Sequence, residues 1–149
     1  AGIEVTVVNG ITSGLAAMTS LNVPLTHREH AHGVVFVTGH AKPGDAGTDW
    51  TLLATTAARA KLTLIIYMGV TGSEQIQNEL LLGLSSNTPV AIIQNASLLT
   101  QRHAVTTLGS LRITIEQEDM HSPAVIVVGD VLQGLLALST TAASQQKQA

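Results

Sequence analysis

Two hydrophobic periodicities alternate along the chain. Ile3 to Val8 is an apolar run, β-like from Glu4 to Val8, and then Ile11, Leu15, Met18 and Leu21 recur at helical spacing. Asn9-Gly10 alone would suggest a hairpin. The residues after Gly10 do not alternate, so Val7 to Leu15 reads as strand, tight glycine turn and helix start. Asn22-Val23-Pro24 ends that helix, and a polar loop runs from Thr26 to His32. Gly33 to Thr38 is a buried-strand run and Ala41 to Gly47 a loop tip. Thr48 or Asp49 can cap a helix from Trp50 to about Arg59, and Lys61 to Tyr67 is a second buried strand. Thr71 and Glu74 form a capping-box pattern for a helix through Leu84, with Ile76, Leu80 and Leu84 on one face. Pro89 to Ile93 and Arg102 to Thr107 read as strands. Leu108 to Glu118 is read as a helix from Leu108, Leu111 and Ile115, against the β-branched Ile113-Thr114-Ile115. Ala124 to Val128 is a plain buried strand, Val131 to Leu138 fits either element, and Ser139 to Ala149 is expected to be a disordered tail. This order predicts an α/β protein with a central mixed sheet flanked by helices.

The chain opens almost directly in a strand, with nothing before it to pair with, which predicts a fragment of a longer protein. Hydrophobic residues are 45% and charged residues 11%, which fits a folded chain and excludes disorder. Aromatics are only 2% and the net charge is −3, so neither base stacking nor phosphate tracking is expected and nucleic acid is not a predicted partner. Without cysteine there is no disulfide framework and no thiolate metal site. The longest apolar stretch, Ala124 to Leu138, is interrupted by Asp130 and Gln133 and is too short to span a bilayer. No membrane association and a cytoplasmic location are expected.

Thr12 and Ser13 place hydroxyls and backbone N–H groups at a helix N-terminus, a position that suits polar or anionic ligand groups and equally an ordinary helix cap. His27, His30, His32 and His40 invite a metal reading, with Asp45 or Asp49 to complete a shell. Their spacing is looser than that of paired zinc ligands, so exposed loop histidines and no metal are expected.

Eight blocks fall in register with a known family. They are Val7-Val8-Asn9-Gly10-Ile11-Thr12-Ser13, Val23-Pro24-Leu25-Thr26-His27-Arg28, Val37-Thr38-Gly39-His40, Asp49-Trp50, Ile66-Tyr67-Met68-Gly69, Thr88-Pro89-Val90-Ala91, Gln101-Arg102, and Ser122-Pro123-Ala124-Val125-Ile126-Val127-Val128-Gly129. With these the chain resembles the tetrapyrrole methylase family. More narrowly it is similar to the C-terminal half of uroporphyrinogen-III C-methyltransferases, which also occur as a module of sirohaem synthases. The resemblance extends to about Val131. Asn9 departs from the proline usual in the family, and Leu108 to Met120 matches weakly.

The resemblance implies the C-terminal domain of the tetrapyrrole methylase fold over residues 9–138, with residues 1–8 the last strand of a preceding domain. It implies S-adenosyl-L-methionine as methyl donor, S-adenosylhomocysteine as product, and two C-methylations of uroporphyrinogen III to precorrin-2, in sirohaem and cobalamin biosynthesis. Such transfer depends on holding donor and acceptor carbon in near-attack geometry. The resemblance assigns donor contacts to Thr12, Ser13, Met68 and Ala96. It puts the acid and base groups in the preceding domain, so no catalytic residue is expected here and the chain alone is expected to be inactive. A substrate with eight carboxylates calls for cationic forks, which implies Arg28 with His27 beside it, and Arg102 as a second candidate. A homodimer is implied as well. A methyltransferase acting on a later precorrin, or a non-catalytic dimerisation or binding domain, are the alternative readings.

Overall fold

A computed structural model describes residues 2–41, 44 and 47–146. In chain order the elements are α1 (Ser13–Ser20), β1 (Gly33–Thr38), α2 (Trp50–Ala60), β2 (Leu62–Tyr67), α3 (Ser73–Leu80), β3 (Pro89–Gln94), β4 (Arg102–Thr107), α4 (Leu111–Gln117), β5 (Ala124–Val128) and α5 (Gln133–Gln146). Short 3-10 turns at Leu108–Ser110 and Asp130–Leu132 lead into α4 and α5.

The five strands form one sheet in the order β1-β2-β5-β3-β4. β1 and β2 are parallel, and every other neighbouring pair is antiparallel. The sheet is therefore mixed, as the strand and helix order predicts. β5, last in sequence, is the middle strand. It is buried along almost its whole length, which explains why its run is continuously apolar rather than alternating.

Alternate residues of the central strands feed two cores. Leu64, Ile66, Val90, Ile92, Ile126 and Val128 pack under α2, α3 and α4 with Trp50, Ala54, Ile76, Leu80 and Leu111. Ile65, Ala91, Ile93, Val125 and Val127 face the other way and pack with Ala17 and Met18 of α1 and Leu132 before α5.

Four local features differ from expectation. Glu4 to Val8 forms no strand, and residues 2–12 have no regular structure. Ile3, Val5, Val7, Val8 and Ile11 are 79–88% exposed, so an apolar run that needs a ladder partner finds none among the described residues. The Thr71/Glu74 capping box is not made. Gly72 is the N-cap, with no side-chain bond, and Glu74 instead pairs with Arg112 of α4 at 2.8 Å. Helix α3 also stops at Leu80 rather than Leu84, because Gly83 lies against α2: a Cβ there would stand 2.7 Å from the Thr55 amide nitrogen. Finally, α5 carries the chain in helix to Gln146, through most of the segment expected to be a tail. Leu135 packs against the sheet and no Gly or Pro follows Gly134, so a nucleated helix propagates through Ala- and Gln-rich sequence. Residues 147–149 of that segment, and Asp45 of the loop tip, lie outside the described residues. The Asp49 cap is made as expected, its carboxylate accepting the Leu52 N–H at 2.9 Å.

Candidate functional site

A cavity of about 910 Å³ opens at one end of the sheet, on the face that carries α1. Its floor is Ile93 of β3 and Val125 of β5. Thr12 and Ser13 at the start of α1, Tyr67 and Met68 at the end of β2, and Asn95, Ala96 and Leu98 just after β3 form its walls, with Ser122 to Ala124 closing the remaining side.

Each wall has a local cause. β2 ends in a kink at Met68, whose φ of 52° is rare for a residue with a long side chain and turns the thioether out into the mouth, 60% exposed. Gly69 follows because a Cβ there would crowd Ile66 and Ile126 at 3.0 and 3.1 Å. Tyr67 ties the end of β2 to α1. Its hydroxyl accepts the Gly14 N–H at 3.2 Å and hydrogen-bonds the Thr12 hydroxyl. Thr12 is the N-cap residue of α1 yet makes no side-chain bond to its own helix, so Tyr67, from the sheet face on which α1 rests, supplies the oxygen that caps it. The wall after β3 is a compact turn. Asn95 and Ser97 both have positive φ (53° and 70°), and the Asn95 N–H donates to the Pro123 carbonyl at 3.0 Å.

None of the lining residues carries a formal charge, and apolar carbon dominates the floor. Such a cavity suits an uncharged, flat or sugar-like ligand body held by hydroxyls and backbone groups. It does not suit a polyanion. Met68 adds a soft thioether face.

The structure brings Thr12, Ser13, Met68 and Ala96 together in this one cavity. It does not bring His27 and Arg28, expected to bind the substrate rather than the donor, to this cavity. Their loop is closed by paired backbone bonds between His27 and Ala31, both 2.8 Å. The loop is anchored at the start of β2, where the Thr63 hydroxyl donates to the Leu25 carbonyl at 2.9 Å and the His32 N–H to the Lys61 carbonyl at 2.8 Å. The cavity is at the other end of that strand, roughly 16 Å away at ~3.3 Å per residue. Arg102 is also turned aside. It sits opposite Gln94 in the β3/β4 ladder, on the α4 side of the sheet, and its Nη2 donates to the Glu118 carbonyl at 2.6 Å.

His27, Glu29 and His30 place ligand-capable atoms within 4.8 Å of one another on this exposed loop, an arrangement a divalent cation could share. The backbone bonds hold the loop without one, and the Glu29 N–H already occupies His27 Nδ1 at 3.2 Å. Residue-by-residue reading missed Tyr67, Asn95 and Ser122. Tyr67 stands beside Met68 in a family-like block and is the single tyrosine of the chain, a signal legible in the sequence.

Fold and cavity define an α/β domain with an uncharged, ligand-sized pocket at one end of its sheet. The chain belongs to the tetrapyrrole (corrin/porphyrin) methylase family, whose model matches residues 1–112. It is 41% identical over 141 residues to a uroporphyrinogen-III C-methyltransferase of Pseudomonas fluorescens, covering 94% of this chain and 55% of the relative. It is also 41% identical over 133 residues to a siroheme synthase of Stutzerimonas stutzeri, covering 89% of this chain and 28% of that protein. The crystal structure of uroporphyrin-III C-methyl transferase from Thermus thermophilus complexed with S-adenyl homocysteine superimposes with a TM-score of 0.70 at 32% identity, over 88% of this chain and 53% of that one. The chain thus spans about half the length of the methyltransferases it matches. No helix among the described residues is long and apolar enough to cross a membrane.

Proposed function

We propose that this chain is the donor-binding half of an S-adenosylmethionine-dependent enzyme that C-methylates uroporphyrinogen III to precorrin-2, on the route to sirohaem and cobalamin. The observation that supports this reading is the convergence of Thr12, Ser13, Met68 and Ala96, up to 84 positions apart, on a single uncharged cavity. The bound donor supplies a methyl group activated on a sulfonium. Thr12 and Ser13 offer hydroxyls to its polar groups, Met68 offers an apolar sulfur face, and Ala96 leaves room where a larger side chain would fill the cavity. Tyr67 holds Thr12 in place. Ile93 and Val125 keep water from the floor, which favours a fixed geometry over a solvated one.

Residues 1–8 belong to the last strand of a preceding domain in this reading, and that domain brings the acid and base groups. The enzyme works as a cytoplasmic homodimer. The 149-residue chain by itself binds the donor and transfers no methyl group.

Calorimetric titration of the chain with S-adenosylhomocysteine tests this. Binding of roughly micromolar Kd, equivalent to about −8 kcal/mol, is expected. Ala96→Leu, which fills the cavity, is expected to abolish it while leaving the thermal unfolding transition in place. No binding by the unaltered chain, or measurable methyl transfer by it, overturns the corresponding part of the proposal.

A further inference from the structure

Resting on the donor-binding reading, a donor in the cavity leaves open where the methyl acceptor lies. The acceptor is a puckered macrocycle of four pyrroles joined by saturated carbons, with apolar carbon between the pyrroles and carboxylates around its edge. The lining has no cation to receive those carboxylates, and the loop of His27 and Arg28 is at the wrong end of β2. The acceptor must therefore meet the donor at the mouth.

At the mouth, the turn from Asn95 to Gln101 presents two leucines to solvent. Leu98 lines the cavity yet is 61% exposed, and Leu99 beside it is fully exposed. The turn is braced at several points. The Leu98 N–H donates to the Asn95 carbonyl, the Gln101 N–H to the Leu98 carbonyl (both 3.0 Å), the Ser97 N–H to Gln101 Oε1 at 2.8 Å, and the Asn95 side-chain amide to the Thr100 hydroxyl at 3.2 Å. Its two left-handed residues, Asn95 and Ser97, are neither of them glycine. Backbone strain retained in a braced turn that projects apolar side chains into water is a mark of a contact surface.

The strand that leaves this turn contributes a polar group on the correct face. His103 stands directly opposite Ile93 in the antiparallel β3/β4 ladder. Paired residues share a face, so the exposed His103 side chain is on the cavity side, one strand beyond the cavity floor. Arg102, next to it, points to the other face, as its bond to the Glu118 carbonyl requires.

We infer that Leu98, Leu99 and His103 form the seat of the methyl acceptor, the leucines against the apolar carbon of its pyrroles and bridging methylenes and the His103 imidazole donating a hydrogen bond to a peripheral carboxylate. This seat replaces His27 and Arg28 as the acceptor-binding residues of this chain.

The test is a fluorescence titration with uroporphyrin III, the stable oxidised macrocycle. It is made on the unaltered chain, on Leu98→Ser/Leu99→Ser, on His103→Ala, on His103→Gln and on Arg28→Ala, with the S-adenosylhomocysteine titration run beside each. The double leucine variant and His103→Ala are each expected to weaken porphyrin binding by about tenfold. His103→Gln, which keeps a side-chain donor, recovers part of the loss, and Arg28→Ala has no effect. Donor-product binding is unchanged in the His103 and Arg28 variants, and in the leucine variant, whose Leu98 lines the donor cavity, the porphyrin loss exceeds any donor-product loss. Porphyrin affinity that is absent in the unaltered chain, or indifferent to the leucine and His103 variants, overturns the inference. So does a leucine variant that changes only the sedimentation coefficient, since the pair would then serve contact with another copy. Failure of the unaltered chain to bind S-adenosylhomocysteine counts against the donor reading instead, and the porphyrin series still decides the seat.

Discussion

Gly14 has no space for a side chain. A Cβ there would sit 2.6 Å from Ile65 Cγ2, 2.7 Å from the Tyr67 hydroxyl and 2.8 Å from Phe36 Cε1, all parts of the sheet on which α1 rests. Gly14→Ala is expected to push the start of α1 off the sheet and to cost about 1–3 kcal/mol in urea denaturation. Because Thr12 and Ser13 move with it, donor binding should weaken in the same variant. Tyr67→Phe separates these effects. It keeps the ring on Phe36, stacked at a centroid distance of 6.2 Å, and removes only the oxygen. A stability loss of about 1 kcal/mol is expected, with weaker S-adenosylhomocysteine binding by calorimetry. An unchanged affinity would mean that the cap on α1 does not position Thr12. At this scale the sequence reveals residue types but not cross-chain geometry. The family resemblance picks out Thr12, Ser13, Met68 and Ala96, whereas the service Tyr67 gives to α1 depends on two segments 53 residues apart being adjacent, which no local pattern encodes.

The helices differ in how they are started, and so in what a single substitution does to them. Asp49 caps α2 with its own carboxylate, and Lys61, in a left-handed conformation, closes the other end. Asp49→Ala is expected to lower stability by about 1 kcal/mol, read as a shifted urea midpoint with an unchanged slope. Helix α3 has no such cap, and Arg112 binds it to α4 through Glu74 at 2.8 Å while also holding Glu116 at 3.0 Å. All three side chains are well exposed, so Arg112→Ala should cost no more than about 1 kcal/mol, and less in high salt. The strands were the legible elements: Gly33 to Thr38 and Ala124 to Val128 coincide with β1 and β5 from end to end, because β-branched runs between breakers leave little choice. The capping box failed for a long-range reason, since Glu74 has a better partner on α4 than the backbone behind it. The place of the His27 and Arg28 loop is not encoded locally either. Its sequence shows polarity, but its location is set by the Thr63 and Lys61 contacts at the start of β2.

For the molecule as a whole, the exposed run before α1 is the largest departure from a closed fold. Ile3, Val5 and Val7 alternate along it and are all at least 79% exposed. An extended apolar segment of this kind promotes pairing between chains. The 149-residue chain is expected to associate with rising concentration in analytical ultracentrifugation, and Val5→Lys/Val7→Lys to shift it towards the monomer. A sedimentation profile that does not vary with concentration in the unaltered chain would count against association through this run. Hydrophobic patterning could show that Ile3 to Val8 needs a partner. It could not show that the five-stranded sheet offers none.

The central position of β5 has a consequence for the order in which the domain can be made. β2 and β3 are neighbours of β5 and not of each other, so the sheet exists as two separate halves, β1-β2 and β3-β4, until residues 124–128 enter between them. During synthesis from the N-terminus, both halves leave the ribosome with an open edge and a bare apolar face. Closure waits for β5, the last strand among the described residues. A nascent chain arrested before Val128 should then be a target for chaperones and proteases, and one arrested after Leu132 should resist them.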